Sequence, residues 1–271
     1  MKDELARIAE ALERLTRAAP AGGDWAAAPA YVWDGGARAV GAISAPPLDL
    51  LRGIDAQKEI VSTNVARLAA GHAAHDMLLW GARGMGKSAL LRAAVLTAQE
   101  HDPAAIALVQ VAPEALATLP ALFAALAGQQ RRFLVYIDDL GFEDGDSAGP
   151  RALRSWLEGG VEARPGNVRL AVTSNRRAIV PRHLSEQDDP INPRDAVDDK
   201  LALADRFGLS VGFHNCGQDD YLAIIAGYCA AHDLAWDAHD ALEWSKRRGA
   251  RSGRVAWQYV TELAGRAGQA L

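Results

Sequence analysis

Apolar residues recur along this chain in two alternating rhythms. Short, nearly unbroken apolar runs predict buried strands: Met77-Leu-Leu-Trp80, Ile106-Ala-Leu-Val-Gln-Val111, Phe133-Leu-Val-Tyr-Ile137, Val168-Arg-Leu-Ala-Val-Thr173 and Leu209-Ser-Val-Gly-Phe213. Tyr31-Val32-Trp33 predicts a shorter strand. Between these runs the apolar positions fall three and four residues apart, the helical rhythm. Asp55 caps an expected helix to about residue 70, with Ile60, Val61, Val65 and Leu68 inward. A helix from Lys87 to about Glu100 follows, then one over Ala115–Ala127 with Leu116, Leu119, Leu122, Phe123 and Leu126 as its core residues. Arg151–Glu158 predicts another. Leu5, Ile8, Leu12 and Leu15 predict an amphipathic packing helix over 3–19, stopped by Pro20 and Gly22-Gly23. A partner-binding arm is the sharper alternative for that helix. The tail reads as helical. One helix follows Asp219-Asp220, a second spans 238–247 with Leu242 and Trp244 and stops at Gly249, and Ser252-Gly253-Arg254 opens a third carrying Val255, Trp257, Val260 and Leu263.

Strands alternating with helices predict an α/β fold with a mostly parallel sheet flanked by helices, whose ligands lie beyond the C-terminal ends of the strands. Three polar clusters fall at such ends. The first is Gly81-Ala82-Arg83-Gly84-Met85-Gly86-Lys87-Ser88, between a strand and a helix. Its spacing is that of a P-loop. Glycines let backbone N–H groups turn inward around a phosphate, and the helix N-terminus adds partial positive charge. Lys87 would reach the β- and γ-phosphates, and Ser88 would place its hydroxyl on Mg²⁺. The second cluster is Asp138-Asp139. Asp138 would hold the Mg²⁺ shell, and Asp139 would orient or deprotonate a water; two solvated acids are the plainer reading. The third is Asn175, whose amide could hydrogen-bond the γ-phosphate or its water. Gly53-Ile54 is placed to offer a backbone edge and an apolar side chain to a base.

Two cationic residues are open to two readings. Arg206 could complete a charge shell around a γ-phosphate or form an ion pair with Asp205. Arg254, at a helix start, could meet phosphate across a cleft or be solvated. Residues 140–149 form an acidic loop in which Glu143 could compete with Asp139, and 178–200 form a surface excursion with Pro181, Pro190 and Pro193.

Composition narrows the function classes. The formal net charge of −5 disfavours a large nonspecific nucleic-acid surface, although Arg176-Arg177 and Lys246-Arg247-Arg248 leave nucleic acid open as a local partner. Two cysteines, Cys216 and Cys229, lack metal or disulfide spacing and read as buried apolar residues. No apolar stretch predicts a membrane span and the charged N-terminus predicts no signal peptide, so a cytoplasmic setting is expected. No histidine cluster, H-E-x-x-H or G-x-S-x-G predicts zinc or serine-hydrolase chemistry.

Taken in order, Leu51-Arg-Gly-Ile-Asp-Ala-Gln-Lys-Glu59, the P-loop, Tyr136-Ile-Asp-Asp-Leu140, Thr173-Ser-Asn-Arg-Arg177, Ala204-Asp-Arg-Phe-Gly208 and Gly249–Ala256 resemble an AAA+ ATPase. More narrowly, the chain is similar to a poorly characterised bacterial family of AAA+ ATP-binding proteins, closely over residues 45–271. The resemblance implies a P-loop NTPase of AAA+ type. Residues 1–49 would form an N-terminal helix and connector, 50–215 the nucleotide-binding domain and 216–271 a small helical lid. It implies ATP and Mg²⁺ as cofactors. Ile54 would line the adenine pocket, Lys87 and Ser88 would form Walker A, and Asp138 Walker B. Asn175 would be sensor 1 and Arg254 sensor 2. Arg206 would be an arginine finger acting on a neighbour's nucleotide, which implies a homo-oligomer.

Two departures bear on turnover. Asp139 stands where most AAA+ enzymes carry glutamate, and Met85 replaces a small hydroxylic residue. Binding is therefore better supported than fast hydrolysis. The leading expectation is an ATPase, with slow turnover, that remodels or loads a protein or nucleic-acid partner. A non-hydrolytic ATP-binding adaptor and a small-molecule kinase are the alternatives. No N-K-x-D-like stretch favours GTP.

Overall fold

The computed structural model describes residues 24–141, 157, 164–175 and 206–271. The helix expected over 3–19, most of the acidic loop, the helix Arg151–Glu158 apart from Leu157, the pair Arg176-Arg177, the excursion at 178–200 and Asp205 lie outside them.

Seven strands form one sheet: β1 (Ala30–Trp33), β2 (Ala37–Val40), β3 (Met77–Gly81), β4 (Ile106–Val111), β5 (Arg132–Ile137), β6 (Val168–Ser174) and β7 (Leu209–Phe213). Their order is β2-β1-β4-β5-β6-β3-β7. All pairings are parallel except β1 with β2. The expected mostly parallel sheet is therefore present. The central runs are apolar on both faces because both faces are covered. Helices α1 (Asp55–Ala69) and α2 (Lys87–His101), with the C-terminal helices α4 (Gln218–Ala231), α5 (Ala238–Arg248) and α6 (Gly253–Arg266), share one apolar core. The second core lies under helix α3 (Leu119–Ala127) and the residues around Trp25. None of the helices among the described residues is long and apolar enough to cross a membrane.

Four sequence expectations are refined. Strand β2 was not legible: Ala-Arg-Ala-Val lacks an apolar run, and its middle residues are exposed. The boundary expected at 49/50 consequently cuts one sheet, since β1 pairs in register with β4. In α1, Ile54 occupies the cap position without a side-chain bond, and Asp55 lies in the first turn, where it pairs with Lys58 at 2.7 Å. Ile60 is 43% exposed, because the buried stripe runs through Val61, Asn64, Val65 and Leu68. The helix expected over Ala115–Ala127 is split into a 3₁₀ turn (Pro113–Thr118) and α3. Pro120 in the first turn of α3 has no N–H to continue an earlier helix, so it starts a new one.

Polar bonds fasten the β1–β2 edge. Gln99 Nε2 donates to Pro29 O at 2.8 Å and Ile106 O at 3.0 Å, bridging the approaches to β1 and β4. Trp33 Nε1 donates to Thr118 Oγ1 at 2.8 Å. The buried guanidinium of Arg131 reaches carbonyls on both approaches: Trp25, Ala26 and Ala28 through Nη1, Pro103 and Ile106 through Nη2.

Candidate nucleotide site

The P-loop leaves the C-terminal end of β3. Gly81 lies opposite Phe213 of β7, so close that a Cβ would stand 2.1 Å from the Phe213 carbonyl oxygen. With φ at +120°, the position admits glycine alone. Ala82 N–H then donates to that same carbonyl at 2.8 Å. Gly86, in left-handed conformation, caps α2, so the helix N-terminus begins at Lys87.

Lys87 is only 7% exposed. Its Nζ donates to Gly81 O at 2.8 Å, Ala82 O at 2.9 Å and Asn175 Oδ1 at 3.3 Å. Burial pulls its pKa below the usual lysine value; Asp139 and Asp138 oppose this, whereas Arg254 and Arg83 add to it. A cation so partially compensated is suited to an incoming anion.

The two acids are distinguished by their partners. Asp138 Oδ1 accepts from Ser88 Oγ and from Thr173 Oγ1, both at 2.7 Å. Burial raises its pKa, but the neighbouring hydroxyls of Tyr136, Thr173 and Ser88 and the Arg92 charge outweigh that, so the carboxyl stays ionised below its ordinary value. Burial pushes the Tyr136 phenol well above its ordinary value, and it remains protonated beside this carboxylate. Asp139 has φ of +50°. Its N–H donates to Thr173 Oγ1 at 2.8 Å, and its Oδ1 accepts from Asn175 Nδ2. Thr173 thus fixes both acids at once. Thr173→Val should cost about 1–2 kcal/mol, because it takes the acceptor from the part-buried Asp139 N–H and removes a donor to Asp138. Urea unfolding of both proteins tests this; equal midpoints would remove Thr173 from that role.

The C-terminal helices close against the loop. Ser252 caps α6, its Oγ accepting from Val255 N at 3.2 Å. Arg254 N–H donates to Gly84 O at 3.1 Å. A Cβ on Gly84 would come within 3.0 Å of both Ser252 Oγ and Arg254 Cβ, so the loop and the helix start touch through a glycine.

One cavity of about 870 Å³ joins these parts. Ile54, Arg83, Gly84, Met85, Gly86, Lys87, Ser88, Asp138, Asp139, Asn175 and Arg254 line it. Gly81 and Ala82 form the base of the loop and offer their carbonyls to Lys87. Gly53, expected beside Ile54 as a base contact, instead packs against Asp220 of α4. Arg206 is half-buried, outside the lining and just before the N-terminal end of β7, whereas the P-loop follows the C-terminal end of neighbouring β3. The cavity also takes residues that sequence reasoning missed: Arg92, Thr173, Tyr228, His232 and Trp257. Only Arg92 carried a local signal, one helical turn beyond Ser88. In the basic cluster, Lys246 pairs with Glu243 at 2.7 Å, and Arg247 and Arg248 lie 5.9 and 4.8 Å from the Trp244 ring.

Among solved structures the chain is similar to Thermotoga maritima RuvB, a Holliday junction branch migration motor, at 18% identity and a TM-score of 0.53, covering 82% of this chain. It is also similar to the Aeropyrum pernix ORC2 protein, solved as ADPNP–ADP complexes, at 16% identity and a TM-score of 0.55, covering 83% of this chain. It spans 66% and 65% of those chains. No curated protein sequence matches it. The likeness shows that this chain shares the P-loop NTPase fold of these proteins. A family model described as "Protein of unknown function (DUF815)" matches residues 26–267, taking in the β1–β2 edge as well as the P-loop. The chain therefore belongs to the DUF815 family.

Proposed function

We propose that this chain binds Mg²⁺–ATP, hydrolyses it slowly, and uses the cycle to change the conformation of a protein or nucleic-acid partner. The observation that carries this reading is the single cavity onto which Lys87, Ser88, Asp138, Asp139, Asn175 and Arg254 all open. The donors suit Mg²⁺: a serine hydroxyl and an ionised carboxylate, hard oxygen ligands held 2.7 Å apart. Bound there, the metal would supply charge neutralisation at the phosphates. Lys87 exchanges the loop carbonyls for phosphate oxygens, and the P-loop N–H groups cradle the phosphates. Asp139 orients the attacking water, Asn175 holds that carboxylate in place, and Arg254 adds charge from the lid.

Arg206 acts on the nucleotide of an adjacent copy in a homo-oligomer. Its position at the opposite end of the β3–β7 pair, away from its own cavity, supports that role. A second reading, an ATP-dependent switch with negligible hydrolysis, is favoured by the Asn175–Asp139 bond, which already engages the water-orienting carboxylate.

The test is steady-state ATP turnover measured on size-resolved fractions of wild type and Arg206→Ala. Turnover is expected to be low and confined to assembled fractions. Arg206→Ala should reduce it at least ~10-fold with ATP binding retained, because the developing γ-phosphoryl charge loses a cation. ATP that stays intact in every wild-type fraction would leave the switch reading. Equal turnover in the variant would remove Arg206 from the chemistry.

A further inference from the structure

The phosphate half of the cavity accounts for the polar residues, but the same space continues into an aromatic wall. Trp257 of α6, with Tyr228 and His232 from the end of α4, forms that wall. The sequence names Trp257 among the apolar residues of the last helix, and it is 38% exposed, among the few large hydrophobic side chains of the described residues left open. It stands three residues after Arg254, so both share one face of α6, with Trp257 one turn farther from the P-loop. Two rings brace it. The Tyr228 ring meets it at 4.9 Å in an edge arrangement, and the His232 ring at 5.9 Å. Pro46, Pro47 and Leu50, apolar residues of the connector before α1, line the same cavity. An exposed indole fixed by two neighbours in a cavity with further apolar lining is a poor core element and a good stacking surface.

We infer that Trp257 is the base-stacking residue of this site: the nucleobase lies against its indole while the phosphates occupy the P-loop. The inference rests on the nucleotide-binding reading and deepens it. Stacking draws on the π-face that every base possesses, so the indole gives affinity for a base without choosing among bases. Because Trp257 and Arg254 belong to one helix, base and phosphate pull on α6 together. A base-free polyphosphate engages only the second of these contacts.

The test compares dissociation constants of ADP and tripolyphosphate, each measured by displacement of a fluorescent adenine nucleotide, for wild type, Trp257→Leu and Trp257→Phe. Leucine retains apolar bulk without the π-face; phenylalanine retains the face. Trp257→Leu should weaken ADP binding roughly 5- to 100-fold, Trp257→Phe should stay within about 3-fold of wild type, and tripolyphosphate should bind all three alike. ADP binding equal in the leucine and phenylalanine variants would overturn the stacking role. So would an equal weakening of ADP and tripolyphosphate, which would make Trp257 a support of the lid alone. Lys87→Ala separates the two levels. If it abolishes binding while Trp257→Leu changes nothing, only the stacking role falls. If wild type binds neither ligand, the nucleotide reading falls with it.

Discussion

Arg131→Met is expected to lower the unfolding free energy by about 3–5 kcal/mol, read as a lower midpoint in urea at an unchanged slope. Arg131 is 8% exposed and spends its guanidinium on five backbone carbonyls. Burial lowers its pKa, with Tyr31 and Asp102 opposing, so the charge carries a real desolvation cost. Methionine removes that cost but takes a donor from carbonyls on two separate segments, the approach to β1 and Pro103–Ile106 at the start of β4. Water cannot reach these acceptors as freely as it reaches a surface loop. Hydrogen bonds to a charged donor contribute about 1.5–3 kcal/mol each, and sharing one charge keeps the total below their sum. Arg131→Lys should recover only part of the loss, because one ammonium lacks the planar fork that serves two rows of carbonyls. A midpoint for Arg131→Met within error of wild type would show that the β1–β2 edge does not depend on the Arg131 bonds.

Arg131 illustrates where reading the sequence stops. Its position before Phe133 marks the start of a strand, but its partners lie 25 to 106 residues away, and carbonyls have no sequence signature. The same holds for Thr173, which is legible as a strand end and illegible as the hydroxyl joining Asp138 to Asp139. Strand β2 was hidden because an edge strand with exposed middle residues needs no apolar run. By contrast, the P-loop, the Asp138-Asp139 pair and Asn175 are local. Each follows a buried strand within two residues, and parallel pairing then brings all three to one edge of the sheet.

Asp139 changes meaning once its backbone is known. In the sequence it is a carboxylate one methylene short. In the fold it has φ of +50°, a left-handed conformation that aspartate and asparagine visit more readily than longer side chains. The shorter acid fits the backbone that Thr173 imposes and reaches Asn175. Trp257 moved in the opposite direction. In the sequence it is one apolar residue of the last helix among several, but Val255, Ala256, Tyr259 and Val260 already fill the buried side of α6, leaving the indole to the cavity.

Lys87→Met is expected to separate folding from binding. In the protein without nucleotide, Lys87 is a buried cation answered by three neutral acceptors, and its lowered pKa records a net penalty on the charge. An apolar chain of similar length relieves that penalty but gives up three hydrogen bonds, and the two effects offset, so the melting temperature without nucleotide should stay near that of wild type. Affinity for Mg²⁺–ATP should fall by two to three orders of magnitude, about 3–4 kcal/mol, because in the proposed function the ammonium is the partner of the β- and γ-phosphates. At ATP one hundred times the wild-type dissociation constant, wild type gains about 2.7 kcal/mol of stability from ligand, whereas a hundredfold weaker variant gains about 0.4 kcal/mol. Thermal melts with and without Mg²⁺–ATP read both quantities on the same samples. A variant that melts far below wild type without ligand would make Lys87 a structural lysine. A variant that keeps the full ATP-induced shift would move the phosphate site away from the P-loop. The expected pair, stability kept and ligand shift lost, follows from a residue whose charge is poorly satisfied until an anion arrives.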